Sequence, residues 1–423
     1  MRANLNQSGK RALREAGARI MSRNLLLQLN VESCAFGGDG VARHEGRVVF
    51  VPGALPGETV IGEIVAEKRD FARARIHRIE TPSPDRVPPS CPLAGLCPGC
   101  VYQHASPEAE TRCKARQFAD FLETAGGPPL RLDDPLLPGP PLGYRNKIVF
   151  HVNKESGRPQ VGYVGADMQS VTPVARCPLA CDAINDDLAA KLADPGFFHS
   201  IHHRMKLTWR HTERDGVFFF RNQPPKHASW LRERLDFGEV AVPPGGFFQV
   251  NPAGAQALVD GFRAVLREHA VRRVVDLYCG AGLFAAAAAA AGVPEVLAAE
   301  LDTEAAAAAQ YNLKQYGFPE ARVLAGDAAS SLPKLLANAP DATLITLDPP
   351  RAGLSGAMRR RLAEQPAGRL IVYLSCHPAT WARDAAALRR SGFELLQARL
   401  VNQFCRTAHF EIFSLFRRGG PHA

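Results

Sequence analysis

The chain has 423 residues, of which 46% are hydrophobic and 22% charged, and carries a net charge of +9. That length holds two or three domains with cores of their own, and no stretch approaches the ~20 uninterrupted apolar residues of a membrane span, which argues against a membrane role. Five of the nine net positive charges fall in residues 1–23, where six Lys/Arg meet one Glu, so the body is only mildly basic and charge alone does not establish a nucleic-acid partner.

Residues 1–23 read as a basic tail. They lack the Ser richness of a transit peptide, and a disordered arm or a translation start at Met21 fits them better than targeting. Residues 25–80 read as short strands broken by turn chemistry, with Gly37, Gly38, Asp39 and Gly40, then Glu45-Gly46, then Pro56-Gly57, which predicts a small β-barrel. Near its end Arg73, Arg75 and His77 alternate at period two on one strand face. Such a row suits a phosphate backbone, and it equally suits an edge strand kept basic to prevent sheet pairing.

A proline-rich linker at 81–89 leads into Cys91, Cys97 and Cys100, a C-x5-C-x2-C run, and Cys177 follows much later. Ten cysteines without a secretory signal fit a reducing compartment. Three close thiols with one remote thiol fit a four-cysteine iron-sulfur or zinc site, with Cys113 or Cys181 as alternatives to Cys177. The spacing is not the C-x3-C-x2-C of radical chemistry, so a structural or RNA-positioning role is expected. Residues 105–125 have helical composition with Phe118, Phe121 and Leu122 on one face, a second proline-rich break spans 127–141, and 144–249 is mixed and mostly β. From residue 271 strands and Ala-rich helices alternate, with strands expected at 274–278, 295–300, 322–325, 343–347 and 370–374, which predicts a doubly wound parallel sheet.

Chemistry gathers at the ends of these strands. Asp276-Leu277-Tyr278-Cys279-Gly280-Ala281-Gly282 is a strand closing in a glycine turn, and Glu300 ends the next strand about 20 residues on, where a carboxylate takes both hydroxyls of a ribose. No Gly stands near Ala285 to complete a dinucleotide fingerprint, which favours S-adenosylmethionine over NAD. Asp327 is placed to meet the adenine amine, and Asp348 sits on the stiff turn Pro349-Pro350-Arg351. Amino-group methyltransferases end that tetrapeptide in an aromatic residue, so Arg351 disfavours exocyclic nitrogen methylation.

The fifth strand ends in Ser375-Cys376-His377-Pro378, which puts a thiol on the same rim. Carbon 5 of uracil is too weak a nucleophile to take a methyl group from sulfur, but thiolate addition at carbon 6 makes the ring an enolate whose charge reaches carbon 5. A thiol has a pKa of about 8.5, so the site must favour thiolate or accept the proton during attack. The hydrogen at carbon 5 must then leave, and Glu411, flanked by the apolar Phe410, Ile412 and Phe413, is the candidate base.

Four blocks give the chain its resemblance to a family: the cysteine run with Gln103-His104-Ala105-Ser106; Gly246-Phe247-Phe248-Gln249-Val250-Asn251-Pro252; residues 276–284; and 348–353 with 375–378. Over residues 24–423 the chain resembles the bacterial class I RNA (uracil-5-)-methyltransferases, in particular the ribosomal RNA branch. The resemblance implies a multi-domain chain. A TRAM domain of the oligonucleotide-binding barrel type occupies 24–81, an iron-sulfur domain 82–104 and 128–246, and a class I methyltransferase domain 105–127 and 247–423. It implies a [4Fe-4S] cluster on Cys91, Cys97, Cys100 and Cys177, with zinc as the alternative metal. It places S-adenosylmethionine against Gln249, Tyr278, Gly280, Glu300, Asp327 and Asp348, and makes Cys376 the nucleophile and Glu411 the proton acceptor for a flipped-out uridine.

Three positions depart from the family pattern. His377 stands where Asn is usual, Leu283 where a polar residue is common, and Asn402-Gln403-Phe404-Cys405 where an acidic-hydrophobic-Phe-Pro motif is common. The expected partner is an RNA, ribosomal before transfer RNA, in the cytoplasm; no membrane is expected, and protein partners are not legible. The rival readings are a transfer RNA uridine methyltransferase, an amino-group RNA methyltransferase, and a non-catalytic iron-sulfur RNA-binding protein.

Overall fold

The structure is a computed structural model that describes residues 25–126, 135–154, 159–165 and 167–420. The basic tail and most of the second proline-rich break lie outside the described residues. The chain forms two compact units: Met1–Gln117 with Arg406–Ala408, and Phe118–Cys405 with His409–Ala423.

The first unit opens with five strands, β1 (Leu26–Cys34), β2 (Gly40–His44), β3 (Arg47–Val51), β4 (Thr59–Glu67) and β5 (Phe71–Thr81), which close into a barrel in the order β1-β2-β3-β5-β4. Alternation drives the closure: Leu29 and Val31 of β1, Val49 and Val51 of β3, and Ala72 and Ala74 of β5 turn inward to a shared core, while their neighbours face out. Within the closed barrel β5 pairs with β4 over Ala72–Thr81 and with β3 over Phe71–Arg73. Arg73, Arg75 and His77 do face outward, but Arg73 pairs with Asp39 at 2.5 Å and Arg75 with Glu63 at 2.6 Å, which neutralises much of the row.

The segment after the barrel is tied down by the buried Glu58 carboxylate, which accepts from Arg86 Nε at 2.5 Å and from the Ser83 amide at 3.2 Å. Further along, the backbone amide of Arg406 donates to both oxygens of the buried Glu110, at 2.9 and 3.0 Å, and Lys114 reaches the same carboxylate at 2.7 Å.

The second unit carries three sheets. β6 (Lys147–Asn153), β7 (Gln160–Val164), β8 (Val171–Pro173), β9 (Lys206–Thr212) and β10 (Gly216–Arg221) form an antiparallel sheet in the order β10-β9-β6-β7-β8, and β11 (Leu231–Leu235) pairs with β12 (Gly238–Val242). The large sheet contains β13 (Arg273–Leu277), β14 (Glu295–Glu300), β15 (Val323–Ala325), β16 (Thr343–Leu347), β17 (Leu370–Ser375), β18 (Phe393–Val401) and β19 (Glu411–Arg418), in the order β15-β14-β13-β16-β17-β19-β18. The five expected parallel strands are all present, and only their ends differ, by a residue. Strands β13–β17 run parallel and β19 runs against β17.

Strand order reverses between β13 and β16, and the carboxyl ends of strands at such a switch point are where open α/β sheets bind ligands. Register brings those ends level: Leu277 lies opposite both Ala299 and Leu347, and Leu347 opposite Tyr373. The helix Leu283–Ala290 is almost all Ala and buried along its length, since only small side chains let it pack so close to the sheet. No helix among the described residues is long and apolar enough to cross a membrane.

Candidate active site

β13 ends in a turn built on positive φ angles, 59° at Tyr278 and 54° at Gly280. A non-glycine residue in that region is uncommon and marks a backbone held by its surroundings. A Cβ on Gly280 would meet nothing within 4 Å, so open space lies directly over the turn. The Gly280 amide donates to Glu300 Oε2 at 2.8 Å and the Asp302 amide to Oε1 at 2.8 Å, which fixes the carboxylate of β14 beside the turn. Burial, with the Asp327 charge, pushes the Tyr278 hydroxyl up to about 12, so it remains a neutral donor. Asp327 spends Oδ1 on the amide and hydroxyl of Ser330, both at 2.9 Å, as the N-cap of the helix Ala328–Leu335.

Gln249, Tyr278, Gly280 and Asp348 line one pocket at the carboxyl ends of β13 and β16, the concave kind of place where small molecules bind. Phe247 also lines it although 70% exposed. The segment carrying Phe247 and Gln249 is held from below: Lys147 Nζ donates to the Gly246 carbonyl at 2.9 Å, Arg210 Nη1 to the Pro243 carbonyl at 3.1 Å, and Glu233 accepts from Arg210 Nη2 at 2.8 Å. This Lys147-Arg210-Glu233 support has no local signal in the sequence, because its members lie on strands far apart in the chain.

The open space, the fixed carboxylate and the hydroxyl donor suit an adenosyl ligand. Asp276 sits beneath the turn, fully buried, with Oδ2 accepting from the Ala285 amide at 2.9 Å and Oδ1 without a hydrogen-bond partner. Burial holds its carboxyl well above the usual carboxylate range.

Cys376 follows β17, and Glu411 opens β19. These strands pair antiparallel with Ser375 opposite Ile412, so Cys376 and Glu411 are the next residues beyond that end of the ladder, and the Glu411 charge acts on the thiol. Burial, with Glu411 and Asp348 nearby, pushes the Cys376 thiol up to about 11, while a hydrogen bond and the charge of Arg351 pull it down. Arg351, which in the sequence is only a missing aromatic, lies within hydrogen-bonding reach of the thiol. Glu411 is 3% exposed; burial and then the Asp348 charge push its carboxyl well above the ordinary range, against a hydrogen bond from Gln403 Nε2 at 3.1 Å. His377 caps the helix Pro378–Arg390, Nδ1 accepting from the Thr380 amide at 3.4 Å, a task an Asn at this position also performs.

Burial also lifts Asp348 from 3.8 to about 7. A carboxyl raised on folding gives stability that is complete below its unfolded pKa and lost as pH climbs through the folded one. Asp348→Asn is therefore expected to raise the melting temperature at pH 8 by several degrees and to leave it unchanged near pH 4. Thermal melts across that range check this, and a gain independent of pH counts against the buried acid.

Cys91, Cys97, Cys100 and Cys177 form no disulfide. Among the described residues no group of three or more His, Cys, Asp or Glu side chains is arranged to hold a metal ion, so the geometry adds nothing to the cysteine spacing.

The doubly wound sheet, with its glycine turn and the acids at neighbouring strand ends, defines a class I methyltransferase. The TRAM domain model matches residues 27–77, and the model of conserved hypothetical protein 95 matches residues 249–364. The 23S rRNA (uracil(1939)-C(5))-methyltransferase RlmD of Acidithiobacillus ferrooxidans is 31% identical over 431 residues, 92% of this chain and 97% of that protein. Its namesake from Shewanella baltica is 28% identical over 432 residues, covering 92% and 95%. The tRNA (uracil-54, C5)-methyltransferase of Pyrococcus abyssi, solved with S-adenosyl-L-homocysteine, shares the fold with a TM-score of 0.69 over 92% of this chain and 100% of that one, at 19% identity. The chain belongs to the RlmD-type family of RNA (uracil-C5)-methyltransferases.

Proposed function

We propose that the chain methylates carbon 5 of a uridine in 23S ribosomal RNA, in the cytoplasm, with S-adenosylmethionine as donor, Cys376 as covalent nucleophile and Glu411 as base. The observation that carries this is that Cys376 and Glu411 both lie just beyond the Ser375–Ile412 end of the β17–β19 ladder, near enough for the carboxylate's charge to act on the thiol, on the rim that also holds the adenosyl-type pocket. S-adenosylmethionine, when bound, supplies an electrophilic methyl group; Glu300 suits its ribose, Asp327 its adenine, and Gln249, Tyr278, Gly280 and Asp348 the pocket wall.

Cys376 Sγ bonds carbon 6 as its proton passes to a neighbouring carboxylate, for which Asp348, near neutrality, is suited. The thiol is mostly protonated at rest, so attack and proton loss go together. After methylation Glu411 takes the proton from carbon 5, the carbon 6–sulfur bond breaks, and its electron pair returns to sulfur. A carboxylate made strongly basic by burial suits a carbon acid, and the Gln403 hydrogen bond and the Arg351 charge keep its ionised form within reach.

Mass spectrometry of nucleosides from cells with and without the gene tests the reading. Loss of 5-methyluridine from 23S ribosomal RNA supports it, loss from transfer RNA alone moves the substrate, and no loss in either overturns it.

The cluster on Cys91, Cys97, Cys100 and Cys177 remains a proposal supported by spacing. Protein purified without air is expected to carry iron and sulfide in equal amounts. Zinc alone would replace the cluster, and metal-free protein of full activity would remove it.

A further inference from the structure

Gln403 is fully buried, and its carboxamide joins two parts of the site. Nε2 donates to Gln249 Oε1 at 3.2 Å and to Glu411 Oε2 at 3.1 Å, which uses both of its hydrogens. In this orientation Gln403 Oε1 has no hydrogen-bond partner, so the amide engages the site through its nitrogen. The backbone is held as well, because Asn251 Nδ2 donates to the Gln403 carbonyl at 2.9 Å. Space for the side chain comes from Gly254, where an added Cβ would lie 2.2 Å from Gln403 Oε1 and 2.6 Å from its Cβ. The acidic-hydrophobic-Phe-Pro pattern expected here has an apolar residue at this position, so the amide belongs to this chain and not to the pattern it resembles.

We infer that Gln403 is a positioning residue that poses Glu411 for proton abstraction and fixes the Gln249 amide of the adenosyl-type pocket in the same gesture. The inference rests on Glu411 being the base. The ionised carboxylate accepts from Nε2, whereas the neutral acid gains less from it, so the amide favours the form that removes the proton. The other groups acting on Glu411 are Asp348, which opposes ionisation, and Arg351, which favours it; Gln403 is the neutral donor among them. Securing the Gln249 oxygen also leaves the nitrogen of that amide as the end available to a ligand.

The test uses the full-length protein, S-adenosylmethionine, and ribosomal RNA from cells lacking the gene, with single-turnover methylation and denaturing gels read from pH 6 to 10. Gln403→Met keeps the volume and removes the donor. It is expected to slow turnover on the order of tenfold to a hundredfold, to move the half-maximal pH upward by about one, and to accumulate a protein–RNA adduct. Gln403→Glu, isosteric and acidic, is expected to move the half-maximal pH further the same way, and it serves if the Met variant does not fold. Wild-type rate and pH profile in a folded variant overturns the inference. Glu411→Gln run alongside separates the two failures. If it traps adduct while the Gln403 variants behave as wild type, only the positioning role falls; if it traps none, the base assignment falls and takes this inference with it.

Discussion

Cys376→Ala is expected to abolish methyl transfer to RNA, by a factor of roughly ten thousand or more, while S-adenosylmethionine binds within a few-fold of its normal affinity. The asymmetry follows from position. Cys376 stands just after β17 near the start of β19, whereas the pocket is walled by Gln249, Tyr278, Gly280 and Asp348. Uracil carbon 5 gains nucleophilic character only while sulfur is bonded to carbon 6, so removing the thiol removes the reaction path and not a fraction of its rate. Wild-type turnover is expected to rise with pH above neutrality, because burial pushes the thiol up to about 11 and most of it is protonated at pH 7. Calorimetry of cofactor binding beside a radiolabelled methyl-transfer assay checks both halves. Retained methylation in the Ala variant sinks the covalent mechanism, and lost binding makes Cys376 part of the pocket.

The legible parts of this molecule were those set by local pattern. Strand, glycine turn and Ala-rich helix recur with enough regularity that β13–β17 could be placed within a residue of their ends, and Glu300, Asp348 and Cys376 followed because each closes a strand. What depends on pairing between distant segments was not legible. Glu411 is one acid on one late strand in the sequence; the β17–β19 pairing, which ends with Ser375 opposite Ile412, is what brings it near Cys376. Gln403 looked like a lost motif residue, since nothing local says its amide reaches Gln249, 154 positions earlier in the chain. Arg351 read as an absence because its partner, Cys376, lies on another strand end. The basic row on β5 misled in the opposite sense: periodicity gave the face correctly, but Asp39 and Glu63, which take up two of its charges, come from other strands and turns.

Glu411→Gln is expected to let Cys376 attack and the methyl group transfer, and then to stop. The carbon 5 proton stays, sulfur cannot leave, and the RNA remains bonded to the protein as a band that survives denaturation. Turnover falls on the order of a thousandfold, the usual loss when a general base is removed. The amide is isosteric, so the network with Gln403 has little reason to collapse. Stability should move the other way from activity. Folding raises the Glu411 pKa well above 4.5, so its contribution to stability is complete below that value and is lost as pH rises through the folded pKa. Replacing it with a neutral amide therefore stabilises the fold toward alkaline pH and changes little in acid. A variant that is dead in turnover, melts higher at alkaline pH and carries its RNA covalently identifies Glu411 as the base. Full turnover with no adduct assigns the proton to another group, with His409 the next candidate, since Nδ1 of His377 is already engaged in capping its helix.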